Sequence, residues 1–362
     1  MINSFHTLEN QSLPHDPVTR RSERARPFAL LAFLVALFLG FLSANSPARA
    51  DVTYNLYTGN SSSNYHPIGV ALATLIKLKR AESNNVLLNV KASLGPTDNM
   101  HALLSGKADV AFIDASTLLA AITKKPPFDQ YENTRQLKSL AILWEAKAHL
   151  VMRGDFVRKN GLEDYRSLTG QAVSFGQAGS LSHNAASLLF QKNGLIHDKL
   201  FSIPKLDPRE TIDAFTNEVI NGFTLFSHSG DLTIKDAFFS KNNEALLLNV
   251  SDEHLSKLND GEIPIWNRAT IAANTYPSQP DPVQTIGLKN FLVTLGSFPR
   301  EDAMHITRTL YENLTFLKAL HPAAEKIEPE ISRTNLIAPL HAGSDKYFIE
   351  NGPCTGLLCL FN

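Results

Sequence analysis

The sequence predicts an α/β fold built in two parts, and three observations carry that expectation. At 362 residues the chain is long enough for two domains with sizeable cores. From Asp51 onward, segments of period-two alternation trade places with segments of helical period. Three of the strand-like segments stop at a loop rich in Gly, Ser, Asn and Thr that opens directly into a helix.

The elements follow in order. Asp51–Tyr57 alternates apolar Val52, Tyr54 and Leu56, then breaks into Thr58-Gly59-Asn60-Ser61-Ser62-Ser63-Asn64. A helix is expected from about Pro67, with Ile68, Leu72, Leu75 and Ile76 on one face. Val86 to Ala92 alternates as a second strand and ends at Ser93-Leu94-Gly95-Pro96-Thr97. Asp98 can cap a short helix carrying Met100, Leu103 and Leu104, which Gly106 stops. Ala108–Ile113 reads as an apolar strand with Asp109 at its start. Ala141–Arg153 holds two apolar runs around Glu145-Ala146-Lys147.

A helix near Leu162–Leu168 and the strand Ala172–Phe175 lead into Gly176-Gln177-Ala178-Gly179-Ser180-Leu181-Ser182. The helix after it carries Ala185, Leu188, Leu189 and Phe190 and closes at Gly194. Ile212–Phe215 reads as helical. Gly222–Phe226 is an apolar strand that ends at Ser227-His228-Ser229-Gly230, and Val283–Leu295 is strand-like. Apolar residues at three- and four-residue steps predict one amphipathic helix over about Arg300–Leu320.

Residues 1–50 differ in composition from the rest. Arg20, Arg21, Arg24 and Arg26 precede an apolar run from Phe28 to Leu42, and small residues follow, ending Ala48-Arg49-Ala50. That order is a secretory signal peptide with cleavage after Ala50 and a periplasmic mature protein; an uncleaved membrane anchor is the alternative. The apolar run is shorter than the roughly 20 residues that a spanning helix prefers. Beyond residue 50, 29 basic and 32 acidic residues nearly balance, so no nucleic-acid partner is expected. Cys354 and Cys359 read as a small disulfide loop in an oxidising compartment, since a metal site would need further ligands that do not lie nearby.

Ligands of open α/β sheets settle outside the carboxyl ends of strands, where helix N-termini offer free N–H groups. Asn60, Ser63, Asn64 and Thr97 are therefore candidate ligand contacts on one side, and Gly179, Ser180 and Ser182 on the other. Each loop read alone is more often an ordinary turn, because Gly, Ser and Asn are the standard turn residues, and it is the recurrence of three that points to a shared site.

The run Tyr57 to Gly69 resembles the first loop and helix of the TAXI family, the extracytoplasmic solute receptors of TRAP transporters. Leu104-Ser105-Gly106-Lys107-Ala108-Asp109-Val110-Ala111-Phe112, His149-Leu150-Val151-Met152-Arg153 and Val173–Ser180 are similar to family segments in the same order. The most specific is Ile271-Ala272-Ala273-Asn274-Thr275-Tyr276-Pro277-Ser278-Gln279, followed by Thr285–Val293. The resemblance implies a type II periplasmic-binding-protein fold: two α/β lobes joined by crossing hinge strands. Residues 51–148 would begin lobe I, 149–285 would form lobe II, and 286–362 would return to lobe I. It further implies a receptor that captures a small polar solute, an organic anion or amino acid, by lobe closure and serves the permease subunits of a TRAP transporter. The same fold could serve an ATP-driven importer or feed a membrane sensor kinase.

Two departures bear on the solute. The first loop is poorer in glycine than the family's, and Asp114 stands where relatives often carry Gln. A carboxylate in the pocket repels an anion and attracts an amine, whereas one that caps a helix does neither. Tyr276, with an apolar body and a polar tip, is the strongest single candidate for a ligand contact. His228 follows a buried-looking strand, where a lone histidine is more often structural. No nucleophile elbow, phosphate loop, dinucleotide fingerprint or zinc spacing occurs, so neither an enzyme nor a cofactor nor a bound metal is expected.

Overall fold

The structure is a computed structural model and describes residues 50–79, 85–195, 200–239, 244–261, 263–329, 333 and 336–351. Residues 1–49 of the expected signal peptide and the expected Cys354–Cys359 disulfide lie outside those residues. In the first third, β1 (Val52–Tyr57), β2 (Val86–Lys91) and β3 (Val110–Asp114) alternate with α1 (Tyr65–Leu78), α2 (Pro96–Leu104) and α3 (Ala115–Ile122). β1 pairs in parallel with both β2 and β3. Helix α1 buries Ile68, Leu72, Leu75 and Ile76, the positions that share one face at helical spacing.

Two long antiparallel strands, β4 (Leu137–Arg153) and β9 (Val283–Leu295), run through the centre of the sheet. The C-terminal half of β9 joins β3, with Val110 opposite Thr294 and Asp114 opposite Asn290. The C-terminal half of β4 joins β6 (Gly222–Ser227), which continues in parallel to β5 (Val173–Ser174). β7 (Ala245–Leu247) pairs with β4, and β8 (Trp266–Ile271) with β9. Among the described residues the strand order is therefore β2-β1-β3-β9-β4-β6-β5, with β7 and β8 off that path. The β4–β9 register shifts between Ser139 and Ala141 and again between Ile142 and Glu145, which bends the crossing pair.

These crossing strands join two α/β lobes. In the second lobe, α4 (Leu181–Lys192) follows β5, α5 (Pro208–Thr216) precedes β6, and α6 (Leu232–Asp236) and α7 (Asp252–Asn259) follow it. Helices α8 (Arg300–Glu312), α9 (Leu314–Leu320) and α10 (Ala342–Asn351) complete the chain. One apolar cluster gathers Leu56, Ile68 and Leu72 with Ile306, Leu310 and Phe348, so the C-terminal helices pack on the first lobe. Another gathers Val151, Phe215, Phe223 and Phe238 in the second lobe.

Two local expectations are corrected. The predicted helix over Arg300–Leu320 breaks at Asn313, whose φ of −121° leaves the helical region although the apolar period continues. Asp98 is not the N-cap of α2: Gly95 holds that position, and Asp98 lies in the first turn, where its carboxylate accepts the Leu94 N–H at 3.3 Å.

Candidate functional site

Four strand ends converge on one cavity, as the alternation of strand, polar loop and helix requires. The first lobe supplies the loop after β1, from Gly59 to Asn64, with Tyr65 opening α1, and the Leu94–Pro96 turn after β2. The second lobe supplies Gly176 and Gln177 after β5, Ser180 to Ser182 at the start of α4, and Leu225 to Ser227 with Asp231 at the end of β6. Trp144 and Ala146 of the crossing strand β4 form the floor, where the Tyr65 and Trp144 rings lie 5.4 Å apart. The space open to water centres is about 80 Å³, and one water needs roughly 10–15 Å³ of it, so the cavity suits a small solute.

The lobes touch directly across the cavity. Asn60 Nδ2 donates to Gln177 Oε1 at 2.9 Å, and Asn64 Nδ2 donates to Ser227 Oγ at 2.7 Å. At the rim, Asn184 Nδ2 donates to Thr97 Oγ1 at 2.8 Å and the Thr97 N–H to the Gly179 carbonyl at 3.4 Å. Gly95 makes this approach possible. Its φ of +138° is open only to glycine, and a Cβ there would stand 2.8 Å from the Ser180 Cα. The molecule is thus in a closed arrangement.

The polar side chains are held by their own loops. Ser62 Oγ donates to Asn60 Oδ1 at 3.0 Å, which orients the Asn60 amide toward Gln177. Ser63 Oγ donates to the Asn60 carbonyl at 2.8 Å. Ser180 caps α4 by accepting the His183 N–H at 3.2 Å, and Ser182 Oγ accepts the Phe226 N–H at 2.9 Å.

Of the nine candidate ligand contacts, Asn60, Ser63, Asn64, Ser180 and Ser182 line the cavity. Thr97 and Gly179 hold its rim rather than its wall. Asp114 and Tyr276 are placed elsewhere. The Asp114 carboxylate is fully buried and turned onto its own helix, where Oδ1 accepts the Ser116 and Thr117 N–H groups at 2.8 and 3.0 Å. Its Oδ2 accepts the Thr117 hydroxyl at 2.6 Å. Capping geometry leaves that carboxylate no direction into the cavity. Burial, and second the nearby Asp114, raise the pKa of the Tyr65 hydroxyl, which donates to Asn290 Oδ1 at 2.5 Å.

Tyr276 packs behind the loop after β6, its ring stacked on Phe238 at 5.1 Å. Its oxygen accepts the Gly230 N–H at 3.0 Å and pairs with His149 Nε2 at 2.8 Å. Burial lowers the pKa of His149 to about 4, so the ring is neutral at neutral pH. Tyr276 therefore supports the loop and does not meet the cavity.

Asp231 is the residue that sequence reasoning missed. It lines the cavity and caps α6, Oδ1 accepting the Thr233 and Ile234 N–H groups at 2.8 and 3.2 Å. Its Oδ2 accepts the Ser227 hydroxyl. The available signal was the strand end Ser227-His228-Ser229-Gly230, which repeats the strand-loop-helix pattern a fourth time. His228 Nδ1 lies 3.8 Å from Asp231 Oδ2, and the His228 and His321 rings are 5.3 Å apart. Burial outweighs the Asp231 charge and lowers the pKa of His228; burial and His228 together lower that of His321. Among the described residues, no group of three or more His, Cys, Asp or Glu could hold a metal ion, and no helix is long and apolar enough to cross a membrane.

The same architecture recurs in solved structures. MatC from Rhodopseudomonas palustris, solved with bound malate, is 14% identical with a TM-score of 0.50, over 82% of this chain and 96% of that one. A protein from Bordetella bronchiseptica RB50 is 11% identical with a TM-score of 0.50, over 83% of this chain and 98% of that one. A TctC solute binding protein from Polaromonas is 14% identical with a TM-score of 0.43, over 76% and 88% of the two chains. At such identities the likeness is one of fold: the type II periplasmic-binding-protein fold of two α/β lobes on crossing strands. Residues 56–352 match the NMT1-like family, and the chain belongs to it.

Proposed function

We propose that the protein is a periplasmic solute-binding receptor that closes its two lobes around a small polar solute and presents it to a membrane transporter. The observation that carries this reading is the cavity itself. Both lobes contribute its walls, and the amides of Asn60 and Asn64 cross it to Gln177 and Ser227. An enclosed site with apolar walls and a few directed polar groups is the common form of a small-molecule site. Hinge closure on crossing strands is the motion that turns capture into a signal for a partner. The order of basic, apolar and small residues over 1–50 supports export.

The transporter type rests on sequence resemblance. The collinear segments from Tyr57 to Val293 favour a TAXI receptor serving TRAP permease subunits, with an organic anion or amino acid as cargo. Thermal shift of the purified protein against a panel of organic acids, amino acids and amines tests the proposal. One solute class should raise Tm, by about 2.7 kcal/mol of stabilisation at a hundredfold excess over Kd. That solute should be recovered unchanged. A panel that leaves Tm unmoved, or a solute that is turned over, contradicts the receptor reading.

A further inference from the structure

The charge of the cavity wall points to a particular cargo. Among the described residues that line it there is no arginine, lysine or histidine, and Asp231 is the one charged side chain. The wall otherwise presents hydroxyls and amides of Ser62, Ser63, Asn64, Gln177 and Ser227 beside the apolar faces of Trp144 and Phe226. Lys147 follows the lining Ala146 on β4 but points to the opposite face, where it donates to the Thr270 carbonyl at 2.7 Å. His228, 3.8 Å from the carboxylate, is driven toward its neutral form by burial and does not cancel the charge at neutral pH.

A carboxylate accepts about four hydrogen bonds. Two reach Asp231 Oδ1 from Thr233 and Ile234, and one reaches Oδ2 from the Ser227 hydroxyl. The side chain keeps 15% of its surface exposed. From these observations we infer that the cavity takes a solute bearing an ammonium group, with Asp231 as its counter-charge, and disfavours acids that lack one. The assignment rests on the receptor reading and narrows its cargo.

Asp231 is also wired to closure. Asn64 of the first lobe donates to Ser227 Oγ at 2.7 Å, and Ser227 donates to Asp231. A cation at Asp231 thus sits at the end of a hydrogen-bond chain that exists only when the lobes meet. Charge-assisted bonds of this kind are about twice as strong as neutral ones and tighten further where water is excluded.

The test is a deletion series on one carbon skeleton: alanine, ethylammonium and propionate, with malate as a diacid, titrated calorimetrically into the purified protein. Alanine and ethylammonium should bind, and propionate and malate should bind at least tenfold more weakly. Asp231→Asn keeps the cap, since asparagine serves at that position as well as aspartate. It should weaken both amines by roughly ten- to a hundredfold, the value of a charged hydrogen bond. Tighter binding of propionate or malate than of the amines, or amine affinity unchanged in Asp231→Asn, overturns the inference and leaves the receptor standing. The wild-type series decides the matter alone if the variant does not fold. Binding by no solute of the wider panel overturns the receptor reading itself.

Discussion

Strands β3 and β6 end alike: a buried strand closes on a polar residue, and an aspartate caps the next helix. Asp114, the last residue of β3, accepts every hydrogen bond from its own helix and is fully buried. Asp231 after β6 also caps its helix, yet it lines the cavity. The difference lies in what stands opposite. β6 faces the first lobe, and its last residue, Ser227, receives Asn64 across the cavity. The end of β3 lies in the sheet beside β9, with Asp114 paired to Asn290. An aspartate at a strand end is thus a structural cap wherever its helix consumes all its acceptor positions, and becomes part of a site only where a facing lobe approaches.

The contrast breaks most sharply at Gly95, where the turn after β2 meets Gly179 and Ser180. Gly95→Ala should lower solute affinity by roughly a hundredfold or more, because the added Cβ falls 2.8 Å from the Ser180 Cα and blocks closure. Stability should fall by only about 1–3 kcal/mol, the local backbone strain. Titration beside urea denaturation separates the two; an affinity unchanged in Gly95→Ala means that the lobes do not need this contact.

The self-contained end of β3 should behave in the opposite way. Asp114→Ala leaves two N–H groups and two hydroxyls of α3 without their acceptor, and should cost about 3 kcal/mol of stability. Affinity of the variant that remains folded should stay within about twofold, since no atom of Asp114 reaches the cavity.

A smaller effect follows from pH. His149 holds Tyr276, and Tyr276 holds the loop after β6 through Gly230. The ring titrates at about 4 in the folded protein, against roughly 6.5 in the unfolded chain. The unfolded state therefore takes up the proton first, so this stability is complete above pH 6.5 and is lost as pH falls toward 4. Between pH 7 and pH 5 the loss should be about 2 kcal/mol from His149. Burial lowers His228 and His321 as well, which adds in the same direction. Urea midpoints of wild type and His149→Gln over that range check it: the slope should flatten in the variant, and equal slopes would place the effect elsewhere.

Much of the fold was legible because period and punctuation agreed. The strand-like run Val283–Leu295 marks β9 at both ends, and the polar runs after Tyr57 and Phe175 mark two of the loops that line the cavity. Asn313 was not legible as a break, since the apolar spacing continues through it. Nor was the role of Tyr276, whose partner His149 is 127 residues away in sequence. The choice between Asp114 and Asp231 was hidden for the same physical reason. Asp114 and Asp231 both cap a helix, and only the approach of a second lobe distinguishes them.

Native mass spectrometry of the protein, purified without refolding and incubated with alanine, tests the central claim most directly. One alanine should remain bound to wild type, and Gly95→Ala should lose it at the same concentration. Full and equal occupancy of the two proteins would mean that the solute is held without the lobe contact at Gly95, and would contradict capture by lobe closure.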